Sequence, residues 1–172
     1  YRDLVEYMLR FPKPIIAAIN GPAIAGGAGL MLASDIVLAA DTATFGLPEP
    51  LRGIVAGLVA PLLAFRIGGG HAGRLLLTAQ TIDAAEAFRI GLFHELTKAD
   101  LLWPRASEVA AQCAQAAPPA LLQTKRMLNE TIGEQMLVQL GAGAAASATA
   151  RTTEEAREGL TAFVEKRPPK WP

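Results

Sequence analysis

The 172-residue sequence contains one cysteine, Cys113, and only 6% aromatic residues, and its 16 lysines and arginines are balanced by 16 aspartates and glutamates. A single cysteine excludes an internal disulfide framework and every multi-cysteine metal site, and it fits a reducing compartment. The zero net charge excludes the strongly basic surface that is typical of nucleic-acid-binding proteins. We therefore expect a cytoplasmic protein that has no nucleic-acid partner and no metal site.

Long hydrophobic runs are also missing. The longest apolar stretch, residues 53–65, is interrupted by Pro61 and is shorter than the roughly 20 residues that a membrane-spanning helix requires. The first residues carry no secretory signal pattern, so neither a membrane nor an export role is expected. Hydrophobic residues nevertheless make up 51% of the chain. This excess predicts that another copy or a partner covers part of an apolar surface.

The sequence up to residue 57 alternates between apolar segments and glycine-rich or polar turns. Residues 15–19 and 36–40 have the apolar composition of buried strands, and an amphipathic helix precedes the first of them. Asp83 is a predicted helix N-cap, and Thr152 opens a predicted capping box. From Gly57 onward the pattern is almost wholly helical, with predicted helices at 58–67, 72–78, 84–90, 101–116, 120–132, 134–150 and 152–167. This order predicts an α/β fold with a helical second half.

Three glycines, Gly68, Gly70 and Gly73, have the G-x-G-x-x-G spacing of a dinucleotide-binding fingerprint. That motif has to follow a strand and open a helix, with an acidic residue after the next strand. Here a predicted helix precedes the glycines, so we predict a loop between two helices. The sequence also lacks a P-loop and a serine nucleophile motif.

A second glycine-rich segment, residues 20–29 (NGPAIAGGAG), lies between a predicted strand and a helix. The first-turn N–H groups of a helix have no intrahelical partner, so they can hold a carbonyl oxygen that gains negative charge. Glycine lets a ligand approach such a backbone closely. A tight turn that only packs is the alternative interpretation.

Glu49 lies between Pro48 and Pro50 and has apolar residues on both sides of that turn. Stiff, apolar surroundings disfavour the charged form of a carboxyl group and raise its pKa toward that of a useful general acid or base. A solvated glutamate in a proline turn is the alternative. His71 and His94 occur singly, and we interpret both as structural.

Residues 13–40, followed by the segment ATFGLPE at 43–49, closely resemble the enoyl-CoA hydratase/isomerase family, the crotonases. The similarity extends to the C-terminal residues 158–167. It implies an α/β, crotonase-like ββα spiral whose C-terminal part occupies residues 1–57, with a helical region and trimerisation segment at 58–172. The chain would then be N-terminally truncated relative to the family. The resemblance also implies an acyl-CoA substrate, no separate cofactor because coenzyme A is part of that substrate, and a homotrimer or hexamer.

The resemblance assigns roles to residues of this chain. Glu49 matches the family's catalytic glutamate, and Gly26 matches one of the two backbone N–H donors that stabilise a thioester enolate. The remaining matches are substrate-binding: Ile24 and Leu47 as acyl-pocket walls, Gly27 at the acyl site, Pro48 beside the glutamate, Gly57 near the attacking water, and Phe163 and Lys166 in a segment that reaches a CoA site.

Two departures from the family pattern leave the reaction open. Gly29 stands where two-glutamate hydratases place their other catalytic carboxylate, and the second oxyanion donor comes from an A-G-x-D-like loop that these residues do not contain. We predict hydration of a 2-enoyl-CoA. The alternatives are a Δ3,Δ2-enoyl-CoA isomerase that uses the single glutamate, and a non-catalytic CoA-binding or assembly relative.

Overall fold

The computed structural model describes residues 1–171, which form two small three-stranded sheets and eight surrounding α-helices. The strands are β1 (Ile16–Ile19), β2 (Pro22–Ile24), β3 (Ile36–Ala40), β4 (Thr44–Gly46), β5 (Thr81–Asp83) and β6 (Glu95–Thr97). The helices are α1 (Arg2–Arg10), α2 (Gly26–Leu32), α3 (Val59–Thr78), α4 (Ala84–Arg89), α5 (Leu102–Cys113), α6 (Pro118–Arg126), α7 (Glu134–Ala150) and α8 (Glu154–Val164). A 3₁₀ turn covers Glu49–Arg52, and a π-helical segment covers Met127–Ile132.

The two sheets are built from interleaved parts of the chain. One has the order β1-β3-β6 with parallel pairs throughout, and the other has the order β2-β4-β5 with a parallel and an antiparallel pair. The predicted strands at 15–19 and 36–40 are confirmed as β1 and β3. The chain leaves the paired strands β2 and β4 at the same sheet edge, because they run parallel with Ile24 opposite Gly46.

The prediction of an almost wholly helical second half is wrong at β5 and β6. Each strand has three residues, too few for an alternating pattern, and each pairs with a distant strand: β5 with β4, and β6 with β3. The sheets therefore extend across residue 57. The division into 1–57 and 58–172 stays a prediction.

Gly68 marks the place where two helices were predicted with a loop between them. The structure has two helical segments that meet at Gly68, whose angles, φ 76° and ψ 159°, are not helical; both segments are labelled α3. The predicted interruption is confirmed, but it is a kink at one residue rather than a loop. The predicted cap at Asp83 is confirmed, since its Oδ1 accepts a hydrogen bond from the Glu86 N–H at 2.8 Å. The capping box at Thr152 is wrong by one residue: Thr153 is the N-cap, and its hydroxyl accepts from the Ala156 N–H.

The core lies between the sheets and helices α1, α2, α3 and α7. Its largest fully buried side chains include Phe45, Phe93, Met31 and Leu62. A partly buried ion pair joins the Lys125 ammonium of α6 to Asp35, directly before β3, over 2.6 Å. No helix within residues 1–171 has the length and apolarity that crossing a membrane requires.

Candidate active site

Gly26 and Glu49 meet at one edge of the second sheet. Gly26 opens α2 two residues after β2 ends, and Glu49 begins its 3₁₀ turn three residues after β4 ends. The Ala25 N–H donates to the Gly46 carbonyl at 3.1 Å, which continues the pairing of the two strands beyond Ile24. Parallel pairing therefore brings together two residues that lie 23 positions apart in the chain.

A cavity of about 630 Å³ opens beside both residues. Its lining residues come from the chain start, from the turns around Gly26 and Glu49, and from α3 and α7; they are Tyr1, Arg2, Gly26, Glu49, Val55, Ala56, Leu58, Val59, Ala144, Ser147, Ala148 and Arg151. Most of them are apolar. Among the described residues that line the cavity, Glu49 is the one acidic side chain.

The Glu49 side chain is buried, with 8% exposure, and its Oε2 atom has no hydrogen-bond partner among the described residues. Burial raises the pKa of Glu49, while its own backbone amide and the charges of Arg52 and Arg151 act in the opposite direction. A carboxyl group with a raised pKa can both accept and return a proton near neutral pH. The predicted burial of Glu49 in apolar surroundings is thus confirmed, and the solvated alternative is wrong.

The turn that carries Glu49 is fixed through its backbone. Gly53 ends the turn at φ 65°, and a Cβ there would overlap the Glu155 carbonyl at the start of α8. About one turn further along α8, a Cβ on Gly159 would overlap the backbone of Arg52. Helix α8 therefore packs directly on the turn through two glycines, and this contact sets where the Glu49 side chain lies.

Ala25 has a conformation that glycine usually adopts. Its angles, φ 52° and ψ −117°, belong to the first central position of a type II′ turn. An alanine in this region stores strain on the order of 1–3 kcal/mol. Because the ψ of Ala25 orients the following peptide, it fixes the direction of the Gly26 N–H, which opens α2 and so has no intrahelical acceptor.

Gly57 lies between the cavity-lining residues Ala56 and Leu58, and its N–H is already engaged. It donates to the Ser147 hydroxyl at 3.0 Å, and that hydroxyl donates to the Val55 carbonyl at 2.9 Å. The backbones of Gly57 and Gly143 are so close that a Cβ on either would overlap the other. This contact joins α7 to the cavity wall. The predicted role of Gly57 near a water stays a prediction.

The other predicted substrate-binding residues lie outside this cavity. Leu47 is fully buried in the core. The side chain of Ile24 packs beside Gly46, where a Cβ would lie 3.2 Å from its Cδ1 atom. Gly27 borders a separate depression of about 250 Å³ with residues 18–23. Pro48 and Phe163 border another of about 280 Å³, where the Arg52 guanidinium lies 3.8 Å from the centre of the Phe163 ring. Lys166 is exposed just after α8. Their roles in substrate binding stay predictions.

Sequence reasoning missed Tyr1, which precedes α1, and Arg151, which follows α7. The Tyr1 hydroxyl donates to the Gly26 carbonyl at 2.6 Å, and Arg151 follows the last turn of α7 at the cavity. Neither residue belongs to a motif, so only the folded chain places them. His94 is structural as predicted, since its Nδ1 accepts from the Val37 N–H and burial lowers its pKa.

The chain is similar in sequence to known proteins. A family model described as enoyl-CoA hydratase/isomerase matches residues 1–172. A crotonyl-CoA hydratase of Syntrophomonas wolfei is 36% identical over 165 residues, which are 95% of this chain and 62% of that protein. A short-chain-enoyl-CoA hydratase of Clostridium acetobutylicum is 36% identical over 156 residues, which are 90% of this chain and 60% of that protein.

A solved structure agrees in fold. The crystal structure of an enoyl-CoA hydratase/isomerase from Pseudoalteromonas atlantica T6c superposes with a TM-score of 0.89 at 30% identity, covering 98% of this chain and 68% of that one. The chain spans less than two thirds of the length of the two hydratases it matches.

Proposed function

The chain belongs to the enoyl-CoA hydratase/isomerase family, and on this basis we propose that it adds water to 2-enoyl-CoA thioesters. It has the α/β crotonase fold, with two small sheets and surrounding helices. The observation that carries the proposal is the pairing of a buried carboxyl group, Glu49, with the helix-opening amide of Gly26 on one cavity.

The reaction follows from these two groups. The thioester carbonyl oxygen accepts a hydrogen bond from the Gly26 N–H, so negative charge that develops there is stabilised. The Glu49 carboxylate takes a proton from water as the water oxygen bonds to the acyl β-carbon, which leaves a thioester enolate. Glu49 then returns that proton to the α-carbon. One water has been added, and the carboxylate is restored.

The raised pKa of Glu49 suits this exchange, because the same group has to act as a base and then as an acid. Two relatives whose names specify hydration of crotonyl-CoA or short-chain enoyl-CoA also support it. The mostly apolar lining of the cavity fits an acyl chain rather than a sugar or nucleotide.

Replacing Glu49 tests the proposal directly. With crotonyl-CoA as substrate, Glu49→Gln should lower the hydration rate by about a hundredfold to ten-thousandfold, since a neutral amide cannot exchange the proton. Loss of the enoyl thioester absorbance measures the rate. Glu154→Gln is the matched control, because its side chain is 79% exposed at the start of α8. An undiminished rate in Glu49→Gln would refute this site, whereas a wild-type protein that neither hydrates nor isomerises enoyl-CoA would favour a non-catalytic relative.

An isomerase is the second candidate, favoured by a specific observation. Gly29 carries no side chain, so Glu49 is the one carboxylate among the described residues that line the cavity. A single carboxylate suffices to take a proton from the α-carbon of a 3-enoyl-CoA and return it to the γ-carbon. Conversion of a 3-enoyl-CoA to its 2-enoyl isomer, without loss of crotonyl-CoA absorbance, would select this reaction over hydration.

We also propose assembly into a homotrimer or hexamer. Large apolar side chains of the helical region are strongly exposed in the single chain, among them Leu77, Trp103, Val138 and Val164. These side chains are available for burial against another copy. Phe163 and Lys166, which lie outside the cavity, would then reach the CoA moiety held by a neighbour. Light scattering coupled to size-exclusion chromatography measures the mass that tests this assembly.

A further inference from the structure

Tyr1 brings a second oxygen to the cavity that contains Glu49. Its side chain lies at the N-terminal end of α1, and its hydroxyl donates to the Gly26 carbonyl at 2.6 Å. Helix α1 is anchored on the core through the buried Val5 and Leu9. The amide of Asn129 also donates to the Leu9 carbonyl at 2.9 Å, so α1 is held at its C-terminal end as well.

Gly29 provides the room for this hydroxyl. A Cβ built on Gly29 would overlap the Tyr1 hydroxyl oxygen, and it would also lie 3.3 Å from the Tyr1 Cζ and 3.2 Å from a Val59 methyl group. Any larger residue at position 29 therefore displaces the Tyr1 side chain. The Tyr1 hydroxyl thus occupies the space that a side chain at position 29 would need.

The hydrogen bonds of Tyr1 define what its oxygen can do. Its single proton is committed to the Gly26 carbonyl, so toward the cavity the oxygen can only accept a hydrogen bond. Burial raises the pKa of Tyr1, and the nearby charge of Glu49 raises it further. The phenol thus stays neutral at physiological pH. It cannot serve as the base, but it can hold an O–H group.

Glu49 needs such a partner for its water. Glu49 lines the same cavity as Tyr1, and in the proposed hydration its carboxylate accepts one O–H of the water. The other O–H of that water is then without an acceptor unless a second oxygen faces the cavity. A reactant held at two points is much better aligned than one held at a single point.

We propose that the Tyr1 hydroxyl holds the water that Glu49 activates, an inference that rests on the proposed hydration. One hydrogen of the water goes to Glu49 and then to the α-carbon. The other stays on the oxygen, which bonds to the β-carbon, so it becomes the product hydroxyl while hydrogen-bonded to Tyr1. Tyr1 neither gains nor loses a proton.

The variant Tyr1→Phe removes only the oxygen. In the intact protein we expect the kcat for hydration of crotonyl-CoA to fall about tenfold to a hundredfold, with KM changed less than about threefold, because substrate contacts persist while the water is misaligned. Exchange of the α-hydrogens of butyryl-CoA in deuterium oxide should persist, since it needs Glu49 and Gly26 but adds no water. Tyr7→Phe, on the exposed side of α1, is the control and should match wild type.

Gly29→Ala provides a second, independent arm. The added methyl group displaces the flexible tyrosine hydroxyl and leaves the phenol in the protein, and alanine is the better helix former. It should lower hydration as much as Tyr1→Phe does, without loss of thermal stability, and the double variant should be no slower than either single one.

The outcomes separate the two hypotheses. A wild-type protein that adds no water overturns the proposed function, and this inference with it. If wild type hydrates crotonyl-CoA and Tyr1→Phe is equally fast, only the inference is overturned. Equal losses of hydration and α-hydrogen exchange in Tyr1→Phe would also overturn it, because they would mean that Tyr1 merely supports the Gly26 turn.

Discussion

Asp35 and Glu49 are acidic side chains with little solvent exposure, 21% for the Asp35 side chain and 8% for Glu49. Their hydrogen bonding differs. Asp35 Oδ2 accepts from the Ile15 N–H at 2.7 Å and from the Lys125 ammonium at 2.6 Å. Glu49 Oε2 has no partner among the described residues. The same functional group is thus satisfied in one region and left free in the other.

The difference separates a structural carboxylate from a reactive one. A buried charge with a cation and an amide is compensated, and Asp35 uses its bonds to join β1 and α6 to the start of β3. A carboxyl oxygen without a partner is costly to bury, so its presence in a cavity indicates a group kept available for a ligand or a proton. Glu49 is positioned by the backbone of its turn, whereas Asp35 is positioned by its side-chain bonds.

Removing the cation should produce the largest effect on folding stability. Lys125→Met keeps most of the side-chain volume but leaves the Asp35 charge without its partner, so we expect a loss of about 3–5 kcal/mol in the free energy of unfolding. Urea denaturation measures it. The control is Lys98→Met, because its pair with Asp41 is solvent-exposed and worth at most about 1 kcal/mol. If Lys125→Met and Lys98→Met lost the same free energy of unfolding, Asp35 would not be a structural carboxylate, and its contrast with Glu49 would fail.

A smaller effect is expected where backbone contact positions Glu49. Gly159→Ala places a methyl group against the Arg52 backbone, so helix α8 or the Glu49 turn has to shift, at a cost of about 1–3 kcal/mol. Hydration should slow because the carboxylate moves, although no group that touches the substrate has changed. Crotonyl-CoA turnover by the folded fraction measures this.

Gly141→Ala is the matched control for that variant. Gly141 lies inside α7 with open space around its Cβ position, so alanine should raise stability by up to about 1 kcal/mol and leave turnover unchanged. A Gly159→Ala protein with wild-type stability and turnover would show that the α8 contact does not set the position of Glu49.

The elements that sequence predicted well are those with strong local signals. Helix α7 occupies residues 134–150, as predicted from its pattern, and β1 and β3 follow from runs of buried apolar residues. Strands β5 and β6 have three residues each and owe their existence to pairing with β4 and β3. No local pattern encodes such a strand, because its stabilising partner lies far along the chain.

In the candidate site, too, features with a local sequence signal could be predicted, whereas those that depend on distant contacts could not. The burial of Glu49 could be predicted because apolar residues flank its proline turn on both sides in the sequence. The contact of Tyr1 with Gly26 spans 25 positions, and the Ser147 contact that engages the Gly57 amide spans 90. The strained conformation of Ala25 was also hidden, since the glycines that suggest a tight turn are the residues after it.

The smallest expected effect is the pH dependence of stability at Glu49, which tests whether this carboxyl group differs from Asp35. Burial raises the pKa of Glu49 above its ordinary value of 4.5, so the folded state favours the protonated form more than the unfolded state does. That contribution to stability is fully present below pH 4.5 and is lost as the pH rises through the raised pKa. Glu49→Gln, which stays neutral, should therefore have a Tm a few degrees above that of wild type at pH 8.

Thermal unfolding between pH 4 and pH 8 measures this difference, which should close as the pH falls toward 4. Glu154→Gln, at an exposed site, should stay within about 0.5 kcal/mol of wild type throughout. Asp35→Asn should be less stable than wild type, because it removes the partner of Lys125. If Glu49→Gln were instead the less stable protein at pH 8, Glu49 would be a satisfied carboxylate like Asp35, and the distinction between the two regions would fail.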